Sequence, residues 1–256
     1  FYIHPATDQK PYFSRFMTLT SIPEVARIFG LRELPYIELG YVIGVVTLVQ
    51  VLLASVILIL LPLFRIRWYG KKRRWTFLYF FGIGTGFMFF EIVLIQKLLL
   101  FLGQPVYAAA AVLAALLLFS GIGSYISSFF PASRSVTSAT GGVITGMVLL
   151  YTLLLMPMLD MGMAWPVWIK IVYVLGILAP PALGMGMMFP FGLRLLRGKN
   201  ETHIPWACGI DSCMSVVATA LATMIAIESG FVVVMAIGAA AYAITSLSAL
   251  KLGPSI

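Results

Sequence analysis

Long apolar stretches separated by short polar connections run through this chain from about residue 39 to its end. Crossing a hydrocarbon core of about 30 Å takes roughly 20 helical residues, and seven stretches are long enough. They fall near Leu39 to Phe64, Thr76 to Leu102, Val106 to Phe129, Ala139 to Met158, Val167 to Pro190, Ala207 to Glu228 and Phe231 to Leu250. Inside lipid a helix satisfies all its own backbone groups, so the expected fold class is all-α: a polytopic membrane helix bundle of about seven transmembrane helices. Residues 1–38 are mixed and nearly neutral. Within them Ser21-Ile-Pro-Glu24 has the Ser, Pro and Glu spacing that starts a helix, which predicts a short amphipathic helix from Pro23 to about Gly30 along the membrane surface. The chain therefore divides into a lead-in, 1–38, and a transmembrane domain, 39–256.

Composition supports this division. Hydrophobic residues make up 61% and charged residues 10%, against roughly 45–50% and about 25% in a soluble protein. The formal net charge of +8 describes orientation more than affinity. Arg65, Arg67, Lys71, Lys72, Arg73 and Arg74 lie between the first two spans, and Arg134, Arg194, Arg197 and Lys199 lie in the connections two and four spans later. The intervening connections, 103–105, 159–166 and 229–230, have no Lys or Arg. The positive-inside rule places the basic loops in the cytoplasm, the lead-in outside and Lys251 inside. The basic cluster is read as a topology signal, with an anionic-lipid or phosphate site as the sharper alternative.

The same arithmetic excludes several functions. A nucleic-acid groove is not expected. Cys208 and Cys213 match no zinc spacing. His4 and His203 fall outside the spans and cannot clamp a haem within the membrane. No metal and no cofactor is expected, and no catalytic residue. The opening Phe-Tyr-Ile-His, without an initiator Met or a signal peptide, suggests a fragment or a processed product.

Candidate chemistry begins with Glu91, about 15 residues into the second span. A carboxyl at that depth is costly unless paired, protonated or hydrated, so it is a candidate proton or cation site or a packing carboxyl. Lys97 and Lys170, near outer span ends, are expected to reach the interface along their stems. Asp211 lies one to two turns into the sixth span, where capping or interhelical bonding is the simpler role. Pro180 and Pro181, followed by a run of Gly and Met, predict a break or kink in the fifth span, and such breaks can line transport sites. Gly82 and Gly86 form a small-xxx-small pair. Gly121 and Gly123 within Ser120-Gly-Ile-Gly-Ser124 could supply the matching surface, predicting spans two and three as a tight hairpin.

Several motifs together resemble a known family. Pro5-Ala-Thr-Asp-Gln-Lys-Pro-Tyr-Phe13, Gly84-Thr-Gly-Phe-Met-Phe-Phe-Glu-Ile-Val-Leu-Ile-Gln-Lys97, Phe101-Leu-Gly-Gln-Pro-Val-Tyr107, Met188-Phe-Pro-Phe-Gly-Leu-Arg194 and Pro205-Trp-Ala-Cys-Gly-Ile-Asp-Ser-Cys-Met-Ser215 look like the C-terminal membrane half of bacterial spermidine-synthase-like integral membrane proteins. Where members often read Trp-Gly-Ile-Asn-Gly, this chain has Cys208-Gly-Ile-Asp211-Ser212. The resemblance implies an upstream Rossmann-like domain, similar to aminopropyltransferases, that this sequence lacks, so no aminopropyl-transfer residue carries over. It further implies a membrane domain serving as anchor or as route for a cationic or lipid-soluble substrate, with the bilayer and either that upstream domain or other proteins as partners. A non-catalytic accessory subunit of a larger redox or photosynthetic membrane complex is the alternative. An independent carrier would be expected to show repeated halves, which seven spans do not divide into.

Overall fold

The computed structural model describes residues 34–61, 73–196 and 203–252, together with Arg27. The described residues form seven helices and no strand: α1, Leu34–Ser55; α2, Arg73–Leu102; α3, Pro105–Ile126; α4, Arg134–Asp160; α5, Val167–Leu196; α6, His203–Ser229; and α7, Phe231–Leu252. A π-helical turn, Val56–Leu60, continues α1, and a 3-10 turn, Ser127–Phe129, follows α3. Helices α2 to α7 are each long and apolar enough to cross a membrane. The chain is thus a multi-pass helical membrane bundle. Arg27 is helical and exposed; the rest of the predicted lead-in helix, and Arg65, Arg67, Lys71 and Lys72 of the basic cluster, lie outside the described residues.

Two glycines set the tightest connections. Gly103, with φ of 75°, and Gly230, with φ of 89°, occupy the left-handed region, where a side chain costs energy and glycine does not. Each donates its N–H back to the preceding helix, to Leu99 O and Ala226 O at 3.0 Å, the usual C-terminal glycine stop. Successive helices therefore reverse direction, and Arg73, Arg134, Arg194 and Lys251 gather toward one end of the bundle, called the basic end below. At the start of α4, Ser133 caps the helix by accepting from Val136 N at 3.2 Å.

Helix α2 is the hub. Its face bearing Gly82 and Gly86 packs not on α3, as the sequence suggested, but antiparallel on α7. The missing side chains make room for Thr245, the Ala241 carbonyl, and the ring of Tyr242. The Thr245 hydroxyl donates to Tyr79 O at 3.2 Å and to Ala241 O at 3.0 Å. Helix α3 spends its small residues on α5 instead. Gly123 lies against the backbone of Leu183, and Gly186 of α5 lies against the backbone of Ser120. Gly121 has open space where a side chain would go, so it is not a packing glycine within this chain. A small-xxx-small pair shows that some helix comes close, and which one depends on the whole arrangement. Helix α1 packs on α6 and leaves Ile43, Val46, Val49, Leu53 and Ile57 exposed, as suits a helix bathed in lipid. Trp165 and Trp168 at one end and Tyr125, Phe129 and Phe130 at the other are exposed too, where interfacial aromatics belong.

Of the break or kink expected at Pro180 and Pro181, the break does not occur. Helix α5 runs unbroken through both of them and through Pro190. Each proline removes one N–H donor and frees the carbonyl four residues earlier. The structure compensates one of these directly, since the Tyr151 hydroxyl of α4 donates to Ile177 O, the carbonyl that Pro181 cannot reach. Neighbouring helices that re-satisfy freed carbonyls are what let membrane helices keep proline.

Candidate functional site

Two cations of α5 turn out to be structural. Lys170 in its first turn donates to Phe101 O at 2.9 Å and stands 4.9 Å over the Phe101 ring, so it caps the carbonyl end of α2. A cation at a helix C-terminus gains from the dipole. Arg194 does the same at the other end, donating to Ser127 O and, at 3.1 Å, to Phe130 O, the carbonyls that close α3. Its guanidinium also lies 5.1 Å from the Phe191 ring centre. Lys97 was likewise expected to extend toward the interface, yet it is buried on the core side of α2. Its position among Val93, Leu94, Leu98 and Phe101, all buried, leaves it no path along the lipid face.

Polar groups converge elsewhere, in a cavity of about 420 Å³ between α2, α3, α5 and α6. Helix α6 contributes Asp211 and Ser215, one turn apart on the same face; α3 contributes Ser120 and Ser124, also one turn apart. Gly84 of α2 makes the cavity possible. A Cβ there would come within 2.7 Å of the Asp211 carbonyl oxygen, 3.1 Å of Ser215 Oγ and 3.2 Å of Ser215 N, so glycine alone lets α6 press its polar face against α2. Met185, Gly186, Phe189 and Pro190 of α5 close the floor. The mouth is formed by Leu117, Gly121 and Ser124, which are exposed on the outer face of the bundle. The cavity thus opens sideways, toward the lipid.

Asp211 is the chemically unusual member. Its Oδ1 is buried and has no hydrogen-bond partner, although a buried polar atom without a partner costs about 1–3 kcal/mol, and a charged one more. Asp211 lies eight residues after the start of α6 at His203, about 12 Å deep at 1.5 Å per residue, inside the hydrocarbon of a bilayer. No side chain lining the cavity carries a nitrogen, so every polar group it offers by side chain is an oxygen. At the basic end below it, the buried His203 holds α6 to α2, with Nδ1 3.2 Å from Thr76 Oγ1.

Glu91, the first candidate from sequence, is half-buried on the same face of α2 as Gly84, Phe87 and Met88. It stands one turn farther from the basic end than the cavity wall and does not line it. Of the polar candidates, then, the structure brings Asp211 to a cavity and leaves Glu91, Lys97 and Lys170 outside it. Sequence reasoning missed Ser120, Ser124 and Ser215 as site residues. The available signal was spacing, since Ser120 with Ser124 and Asp211 with Ser215 are i, i+4 pairs on otherwise apolar helices. Cys208 is exposed and Cys213 buried, and both are free thiols. Among the described residues no cluster of His, Cys, Asp or Glu could hold a transition metal.

Comparison with family models, with curated proteins and with solved structures returns no match.

Proposed function

We propose that this chain is the membrane domain of a spermidine-synthase-like protein in a bacterial inner membrane, with the basic end cytoplasmic, and that its lateral cavity is the route for a small cationic or amphipathic substrate. The observation that carries the reading is the partnerless carboxyl oxygen of Asp211, sunk about 12 Å into the bundle beside serine hydroxyls, in a cavity open to lipid. Such a group is expensive in a membrane interior unless it is paired, protonated or hydrated, and a cationic ligand supplies the pairing. The surrounding Phe87, Met88, Met185 and Phe189 suit the methylene portion of an amphipathic cation, and Asp211 suits its charged end.

Equilibrium binding of radiolabelled spermidine to the purified chain in lipid nanodiscs tests this reading. Saturable binding is expected. Asp211→Asn keeps the shape and removes the charge, so it should weaken binding roughly ten- to hundredfold, the loss of one hydrogen bond to a charged group. Absence of saturable binding to the unaltered chain would sink the route.

A second reading, a non-catalytic accessory subunit of a larger membrane complex, draws on Gly121, Gly146 and Gly176. These three have open space around them on α3, α4 and α5, so a helix from another protein could approach closely there. Purification in mild detergent should then bring down a stoichiometric partner, and recovery of a lone monomer discards the idea.

A further inference from the structure

The wall of the cavity has a composition that a cationic amine alone does not require. Its side-chain polar atoms are all oxygens: the Asp211 carboxylate and the hydroxyls of Ser120, Ser124 and Ser215. A backbone oxygen belongs with them. Pro190 has no N–H to give, so the carbonyl of Gly186, four residues earlier on the same wall, is left without its helical donor. Unlike Ile177, whose carbonyl the Tyr151 hydroxyl serves, Gly186 lines the cavity. A carboxylate, hydroxyls and a backbone carbonyl are the oxygen ligands that a hard cation binds.

Charge points the same way. An ionised carboxylate in the hydrocarbon needs a positive counterpart. The cavity wall has no Lys, Arg or His; Lys170 and Arg194 are committed to helix ends; and His203 lies two turns below Asp211 in α6, against Thr76. Gly84 adds a steric argument. It holds open the space beside the Asp211 carbonyl and Ser215 Oγ, which a Cβ would fill.

We propose that Asp211, Ser215 and the released Gly186 carbonyl form a site for one sodium ion, for which the charged end of the substrate of the route above competes. The cavity, at about 420 Å³, holds far more than one ion, but its lining has a single carboxylate, so sodium and a cationic solute displace each other there. The ion supplies the positive counterpart that Asp211 lacks in the absence of solute. This inference rests on the lateral-route reading for its purpose but not for its existence, because the ion site is complete without solute.

The test is binding of radioactive sodium to the purified chain in nanodiscs, in choline chloride at constant ionic strength and without any solute. One saturable site per chain is expected, competed by unlabelled sodium and not by choline. Asp211→Asn should abolish it, and Ser215→Ala should weaken it several-fold. Thermal unfolding in choline alone shows whether each variant folds; should Asp211→Asn fail, Ser215→Ala carries the test. Sodium binding that persists undiminished in these variants overturns the assignment. So does an unaltered chain that binds no sodium and is stabilised only by lowering the pH, which would make the occupant a proton. Spermidine failing to bind where sodium binds removes the solute route and leaves the ion site; the reverse result removes the ion site alone.

Discussion

Gly186→Ala lowers the stability of the bundle by about 2–3 kcal/mol, the upper part of the range for forcing extra atoms into a packed site, and Gly186→Leu leaves no monodisperse folded species. A Cβ at this position would overlap the carbonyl oxygen, Cα and carbonyl carbon of Ser120. Those are backbone atoms of a neighbouring helix, so no rotamer change can make room; α3 and α5 have to separate. Gly123 meets the backbone of Leu183 in the same crossing, and the two substitutions should therefore be strongly non-additive, because once the helices part the second Cβ costs little. Gly176→Ala, on the same helix but facing open space, is the control and should be neutral or slightly stabilising, as expected from helix propensity. Thermal unfolding in detergent, followed by tryptophan fluorescence, reads each of these variants and the Gly123, Gly186 double substitution. An unchanged midpoint for Gly186→Ala would show that the two backbones are not in contact.

The second large effect is expected at Arg194. Its guanidinium serves Ser127 O and Phe130 O together, two charge-assisted bonds from one planar fork. Arg194→Gln should cost about 2–3 kcal/mol, less than two full charge-assisted bonds because the site is partly exposed. Arg194→Lys should recover only part of that, since an ammonium on a flexible stem does not reproduce the fork. The effect should also be local. Hydrogen exchange across residues 124–134 should rise in the glutamine variant while α7 stays protected, and unchanged exchange there would show that the arginine does not hold the end of α3.

The spans were legible in the sequence because each is an apolar run of membrane length; the structure places α2, α3 and α7 close to the expected boundaries, while α5 runs past its expected end at Pro190 to Leu196. Helix α4 begins earlier, at Arg134, because Ser133 caps it and its first turns are polar, with Ser135, Thr137 and Ser138. A hydropathy reading has no reason to include those residues. Partner choice was not legible: Gly82 and Gly86 announce a close approach, but α7 rather than α3 makes it, since α7 offers Gly238 and Ala241 to the same groove. The prolines of α5 misled for a related reason. Pro181 predicts a freed carbonyl, and only the fold reveals the Tyr151 hydroxyl that answers it. At the site, depth favoured Glu91, whereas this cavity formed around Asp211, because Gly84 admits α6, and Glu91 does not line it.

The position of α2 as hub bears on how the protein is made. Its largest contacts are with α7 and α6, the last two helices to be synthesised, more than a hundred residues after α2 itself. At roughly 5–20 residues per second, α2 waits on the order of ten seconds in the membrane before its main partners exist. During that interval Gly82, Gly86, Thr85, Glu91 and Lys97 have nothing of their own chain's final helices to pack against, so the nascent α2 is the segment most in need of shelter by the insertion machinery. A chain truncated before α6 would present the same unsheltered surface permanently.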